Sequence, residues 1–78
     1  MTVHEAYNLI SKMVDDYNYD EKSIRNALNI FNKYYPYNIG LESLNKIIKE
    51  LFVLERESYA EIQKETLKKI INIMQSIV

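Results

Sequence analysis

Apolar residues recur along the whole chain at spacings of three and four, which is the period of an amphipathic α-helix. The pattern is interrupted near 18–20, between Pro36 and Gly40, and near 57–58. The four helices that it predicts cover about 3–17, 21–35, 40–57 and 59–77 of a single domain, 1–78. The expected fold class is therefore all-α, a small antiparallel up-down four-helix bundle.

Local signals place the ends of these helices. Thr2-x-x-Glu5 is a capping box in front of the first helix, and Pro36 cannot continue the second one. A second capping box, Ser58-x-x-Glu61, predicts that the third and fourth helices are separate, with Ser58 as the N-cap.

The core is expected where the apolar stripes of the four helices meet. The residues predicted to form it are Leu28, Phe31, Leu44, Ile48, Leu51, Leu67, Ile70 and Met74. Six further aromatic residues fall on these stripes, namely Tyr7, Tyr17, Tyr34, Tyr35, Phe52 and Tyr59.

Tyrosine is abundant for so short a chain, with seven residues, of which Tyr34, Tyr35 and Tyr37 form one cluster. Tyr17 and Tyr19 are candidates to lie near it. These side chains can close one end of the bundle with their hydroxyl groups in water, or they can form an interface, since tyrosine is favoured in both settings. The sequence leaves a monomer and a weak homodimer open.

Composition narrows the class of protein. The 78 residues are 47% hydrophobic and 27% charged, with a net charge of −1, as in ordinary globular domains. Positive charge is not concentrated anywhere, so we expect no nucleic-acid partner.

The sequence also bears on where the protein acts. With no signal-peptide pattern and no long apolar run, we expect a cytoplasmic protein, and a peripheral contact with the inner face of the membrane stays open. Ile, Asn, Lys and Tyr make up 34 of the 78 residues, which indicates an AT-rich gene and hence a low-GC bacterium or its phage.

One stretch imitates a metal site. Asp16-x-Asn18-x-Asp20 matches the first half of a calcium-binding loop, but Glu21 stands where the loop needs glycine and Ala27 where it needs a bidentate glutamate. We therefore interpret Asn18 as a turn residue and Asp20 as a helix cap.

Other chemistry is not indicated. His4 is the only histidine and the chain has no cysteine, whereas a protein zinc site needs several such ligands. No nucleophile–base pair and no phosphate-binding glycine loop is recognisable. We expect a binding protein without cofactor or metal, and not an enzyme.

The segment NIGLESL, residues 38–44, resembles the phosphopantetheine attachment site of acyl and peptidyl carrier proteins, D-x-G-x-D-S-L. The resemblance implies that Ser43 carries the prosthetic arm. Asn38 and Glu42 replace the two aspartates, and two lysines follow where carriers are usually acidic. The stretch before the last helix is also too short for the additional small helix of a carrier.

A second resemblance covers most of the chain. The segments VHEAYNLI (3–10), LNKIIKEL (44–51) and EIQKETLKKI (61–70) are similar to the enterocin A and pediocin-like bacteriocin immunity proteins. That family implies an antiparallel four-helix bundle in the cytosol of a bacteriocin producer. It protects the cell by engaging the bacteriocin's membrane receptor, a sugar transporter, from the inside, and it implies no catalytic residue.

Members of that family generally continue beyond the fourth helix into a C-terminal recognition segment, whereas this sequence stops there. Partner binding is then expected on the outer faces of the last two helices and their connection. The predicted partner-binding residues are Lys46, Lys49, Arg56, Tyr59, Lys64 and Lys68. A third interpretation is a small phage or bacterial helical regulator that acts by protein–protein contact.

Overall fold

The described residues form four α-helices, as the hydrophobic pattern predicts. The computed structural model describes residues 1–34 and 40–77, with Leu41 described by its backbone only. The helices are α1 (Val3–Lys12), α2 (Glu21–Asn32), α3 (Leu41–Arg56) and α4 (Glu61–Gln75). The all-α four-helix bundle is confirmed. The predictions for Tyr35, Pro36 and Tyr37 lie outside the described residues.

The first helix is shorter than predicted. A single 3₁₀ turn (Met13–Asp15) follows α1, and Asp16 then adopts an extended backbone. The Oδ1 atom of Asp16 accepts a hydrogen bond from the amide of Asn18 at 2.9 Å. This turn competes with continued helix, and it leaves Tyr17 fully exposed. The expectation that Tyr17 belongs to the buried stripe is wrong.

Two helix N-termini are capped as the sequence predicts. Thr2 Oγ1 accepts from the Glu5 amide at 3.1 Å, and Glu5 Oε1 accepts from the Thr2 amide at 3.2 Å. At the start of α2, Asp20 Oδ2 accepts from the Ser23 amide at 3.0 Å and from the Ser23 hydroxyl at 2.7 Å. Asn18 and Asp20 are therefore turn and cap residues, as expected.

The boundary between α3 and α4 exists, but Ser58 does not cap α4. The Ser58 hydroxyl donates to the carbonyl of Leu54 at 2.8 Å, at the end of α3. The N-cap residue of α4 is Ala60, whose amide donates to Gln63 Oε1 at 3.3 Å. The predicted capping box is wrong because unpaired carbonyls at the end of α3 offer the hydroxyl a competing acceptor.

The helices pack closely across one diagonal of the bundle. Both α2 and α4 pack against all three other helices, whereas α1 and α3, over their described residues, do not pack against each other. Six of the eight predicted core residues are buried, and Leu28 and Ile48 are only partly buried. On α3 the inward position belongs to Ile47, which lies three residues after Leu44 and four before Leu51 and is fully buried.

Thr66 on α4 joins this core, although the sequence does not single it out. Its side chain is fully buried. Its Oγ1 accepts from the Asp20 amide at 2.8 Å and donates to the Ile62 carbonyl at 2.7 Å. The hydroxyl therefore ties the connection before α2 to α4, across 46 positions of sequence.

Over the described residues, no helix is both long and apolar enough to cross a membrane.

Candidate functional site

Exposed apolar side chains concentrate on the hairpin of α3 and α4. Among the described residues, seven large hydrophobic side chains are exposed, and four of them lie between positions 52 and 62. They are Phe52, Val53, Tyr59 and Ile62. Tyr59 is 97% exposed because it stands in the connection, where neither helix holds it against the core. The assignment of Phe52 and Tyr59 to buried stripes is thus wrong.

The predicted partner-binding residues lie on both helices of this hairpin. Lys46, Lys49 and Arg56 are exposed on α3, Lys68 is exposed on α4, and Lys64 is half-buried there. The described ion pairs include only one of these cations, since Lys46 Nζ lies 3.7 Å from Glu42 Oε1.

These six residues do not form one patch. Lys46 and Lys49 border a groove between α2 and α3. Lys68 instead borders a smaller depression between α3 and α4, of about 320 Å³, together with Phe52 and Glu55.

Four exposed residues of α3 and of the connection after it form a smaller set. We call the exposed side chains of Lys49, Phe52, Arg56 and Tyr59 the hairpin surface.

The groove beside α3, which we call the α2–α3 groove, has a volume of about 510 Å³. Its lining residues are Ile30, Lys33, Tyr34, Lys46, Lys49, Glu50, Val53, Leu54 and Glu57. The sequence offers no signal for it, because its two walls come from helices whose relative position is set by packing.

Glu50 is the most constrained charged residue of the groove. Its Oε1 lies 2.7 Å from Lys33 Nζ, and its Oε2 accepts from the Tyr34 hydroxyl at 3.0 Å. The hydrogen bond from Lys33 lowers the pKa of Glu50, burial opposes this, and the Tyr34 hydroxyl lowers it further. The same contacts with Glu50 raise the pKa of Lys33 and the pKa of Tyr34. Each carboxylate oxygen of Glu50 thus has its own bonding partner, Lys33 for Oε1 and Tyr34 for Oε2.

We expect Lys33→Met to raise the pKa of Glu50 more than Tyr34→Phe does, because the lysine contact has the larger effect. Titration of the Glu50 side-chain carboxyl carbon by NMR measures the pKa of Glu50 in each variant.

The lowered pKa of Glu50 also makes the stability of the protein depend on pH. Because the folded-state pKa is lowered, the stabilisation that the Glu50 contacts provide is present above the unfolded pKa and is lost as pH falls through the folded value. The melting-temperature difference between wild type and Glu50→Gln should therefore shrink in acid. A larger rise in Tyr34→Phe would contradict this account.

The structure also places the remaining residues that the sequence analysis singled out. Ser43 is the third residue of α3 and half-buried, and the connection of residues 57–60 contains no helix. Within residues 1–34 and 40–77, no group of three or more His, Asp or Glu side chains is placed to hold a metal ion. The exposed His4 lies on α1.

The chain was compared with known proteins at three levels. No protein-family model matches it, and neither a curated protein nor a solved structure was found to be similar.

Proposed function

We propose that this protein is a bacteriocin immunity protein, which protects its cell by binding the receptor complex of a pediocin-like bacteriocin from the cytosolic side. The hairpin surface, with two exposed aromatic side chains and two exposed cations, supports the binding part of this proposal. The resemblance of residues 3–10, 44–51 and 61–70 to the immunity proteins supplies the bacteriocin. Contiguous exposed apolar groups that are bordered by polar residues are typical of protein-interaction sites. Aromatic residues and arginine also dominate the binding energy of such interfaces.

Helix geometry groups the main members of this surface. Phe52 lies three residues after Lys49 and four before Arg56, so the three side chains are neighbours on one face of α3. None of the three is buried, and no described acidic side chain pairs with either cation. A partner that offers an apolar pocket bordered by carboxylates fits this arrangement.

The carrier interpretation is less well supported. A carrier needs an additional small helix before its last one, and the four-residue connection between α3 and α4 contains none. Lys46 and Lys49 are also exposed on the helix that a carrier presents to its enzymes. We therefore propose binding, without a cofactor and without catalysis. A regulator that acts by protein contact would use the same hairpin surface.

Expression inside a bacteriocin-sensitive low-GC bacterium tests the proposal. We expect the wild-type protein to raise resistance to at least one pediocin-like peptide without binding that peptide alone in solution. The net charge of −1 provides little attraction for a cationic peptide. Phe52→Glu and Arg56→Glu should abolish protection.

Matched controls are available on other helices. Leu9 on α1 is 43% exposed, against 41% for Phe52, and Lys69 is an exposed cation on α4. Leu9→Glu and Lys69→Glu should therefore protect as well as wild type. If the wild-type protein is expressed and folded but protects against no member of a peptide panel, the immunity function is excluded. If Phe52→Glu protects fully, the binding surface lies elsewhere.

A further inference from the structure

The α2–α3 groove has the size and lining of a small-molecule site. Its volume of about 510 Å³ lies within the range of about 300–1,000 Å³ that is usual for ligand pockets. Ile30 on α2 and Val53 and Leu54 on α3 provide an apolar floor between the two helices. None of these three side chains is fully buried, so the floor can be covered further by a ligand.

The charges of the groove are arranged along its length. Lys46 and Lys49 stand towards one end, and Glu57 lies eleven residues after Lys46, about 17 Å along the axis of α3. Glu50 lies between these residues, and both of its carboxylate oxygens are bonded to Lys33 and Tyr34. Glu50 therefore competes little with an anionic ligand for Lys46 and Lys49.

The lysines, in contrast, are available to an anion. The contact of Lys46 with Glu42 is long, 3.7 Å, and the Glu42 side chain is largely exposed, so it is a weak interaction. No described ion pair includes Lys49. One end of the groove therefore attracts negative charge, while the floor beyond it is apolar.

We propose that the α2–α3 groove binds a free single-chain amphiphilic carboxylate, that is, a fatty-acid-like molecule. Its head group pairs with Lys46 and Lys49, and its hydrocarbon chain covers Ile30, Val53 and Leu54. We favour a free chain over a bilayer because the apolar residues line a groove between two helices, where a single chain contacts both walls. The groove and the hairpin surface share Lys49, but ligand binding in the groove does not depend on the immunity function.

Titration of the intact protein with dodecanoate, kept below its micelle concentration, tests the site by amide NMR. We expect saturable shifts centred on Ile30, Val53 and Leu54. Val53→Glu, which places a carboxylate on the floor, should weaken binding about tenfold or more, and Lys49→Glu should weaken it as well. Leu9→Glu is the matched control, since Leu9 is 43% exposed and Val53 is 44% exposed. Lys69→Glu is the control for Lys49→Glu, and both controls should bind like wild type.

Two further ligands separate the alternatives. Dodecylammonium should bind more weakly than dodecanoate, since its head group has the opposite charge. Vesicles of phosphatidylcholine and phosphatidylglycerol should not sediment the protein. Thermal unfolding shows whether each variant is folded. If Val53→Glu does not fold, the binding measured with Lys49→Glu decides whether the groove is the site.

The inference is overturned by an absence of saturable shifts, by shifts centred outside the groove, or by equal binding in the folded Val53→Glu or Lys49→Glu variant. Equal affinity for the two head groups would remove the role of the lysines. Sedimentation with vesicles without dodecanoate binding would make this a membrane-binding surface instead.

Discussion

Replacing Phe31 by alanine will bring the protein close to unfolding. Phe31 is buried at the centre of the core, and its ring packs against that of Tyr7 with the centroids 5.1 Å apart. Truncation of a buried phenylalanine costs about 3–5 kcal/mol because the cavity cannot fully close. A chain of this length has a free energy of unfolding of about 4–12 kcal/mol. The loss therefore removes a large part of the total.

Denaturant unfolding followed by circular dichroism measures this effect. Leu28 lies on the same helix as Phe31 and is only partly buried. Leu28→Ala should therefore lower the free energy of unfolding by less than Phe31→Ala does. The exposed Lys69→Ala should change stability by no more than about 0.5 kcal/mol. Indistinguishable midpoints for Phe31→Ala and Lys69→Ala would show that the buried face of α2 is misassigned.

Replacing Thr66 by valine should cost about 1–3 kcal/mol, although the two side chains have nearly the same shape. The Asp20 amide would lose its acceptor, the Thr66 hydroxyl at 2.8 Å, in a partly buried position. No cavity is created, so the change in unfolding free energy reports the two lost hydrogen bonds of the hydroxyl, from the Asp20 amide and to the Ile62 carbonyl, and not lost packing.

Hydrogen exchange distinguishes this cause from a general loss of stability. In Thr66→Val the Asp20 amide should exchange faster relative to the amides of the core helices, whereas Thr66→Ser keeps the hydroxyl and should keep the protection. A Thr66→Val protein as stable as wild type, with the Asp20 amide still protected, would show that this hydrogen bond contributes nothing.

Features that depend on a few neighbouring residues could be predicted from the sequence. The capping box of Thr2 and Glu5 and the Asp20 cap of α2 form within three residues, where spacing along the chain is also spacing in space. Ser58 shows the limit of such reasoning. Its hydroxyl could bond forward, to an amide of α4, or back to the Leu54 carbonyl, as it does, and both partners are local.

The candidate sites were only partly predictable. The exposed cations Lys46, Lys49 and Arg56 could be found from the sequence, because they stand opposite the apolar stripe of their helix. The exposure of Phe52 and Tyr59 could not, since it depends on where α3 ends and on which faces of α3 its neighbours leave uncovered. The partner that meets these side chains remains a proposal.

By itself, the sequence determined the four helices, the caps at the start of α1 and α2, and six of the buried core residues, because helical periodicity and capping act over a few residues. Only the tertiary structure decided that α2 and α4 pack across the diagonal and that Ile47 points inwards more fully than Ile48. It alone brought Lys33 and Tyr34 to Glu50, and Thr66 to Asp20. These contacts join residues 16 to 46 positions apart, and no local preference specifies them. They follow from how four apolar stripes share one core.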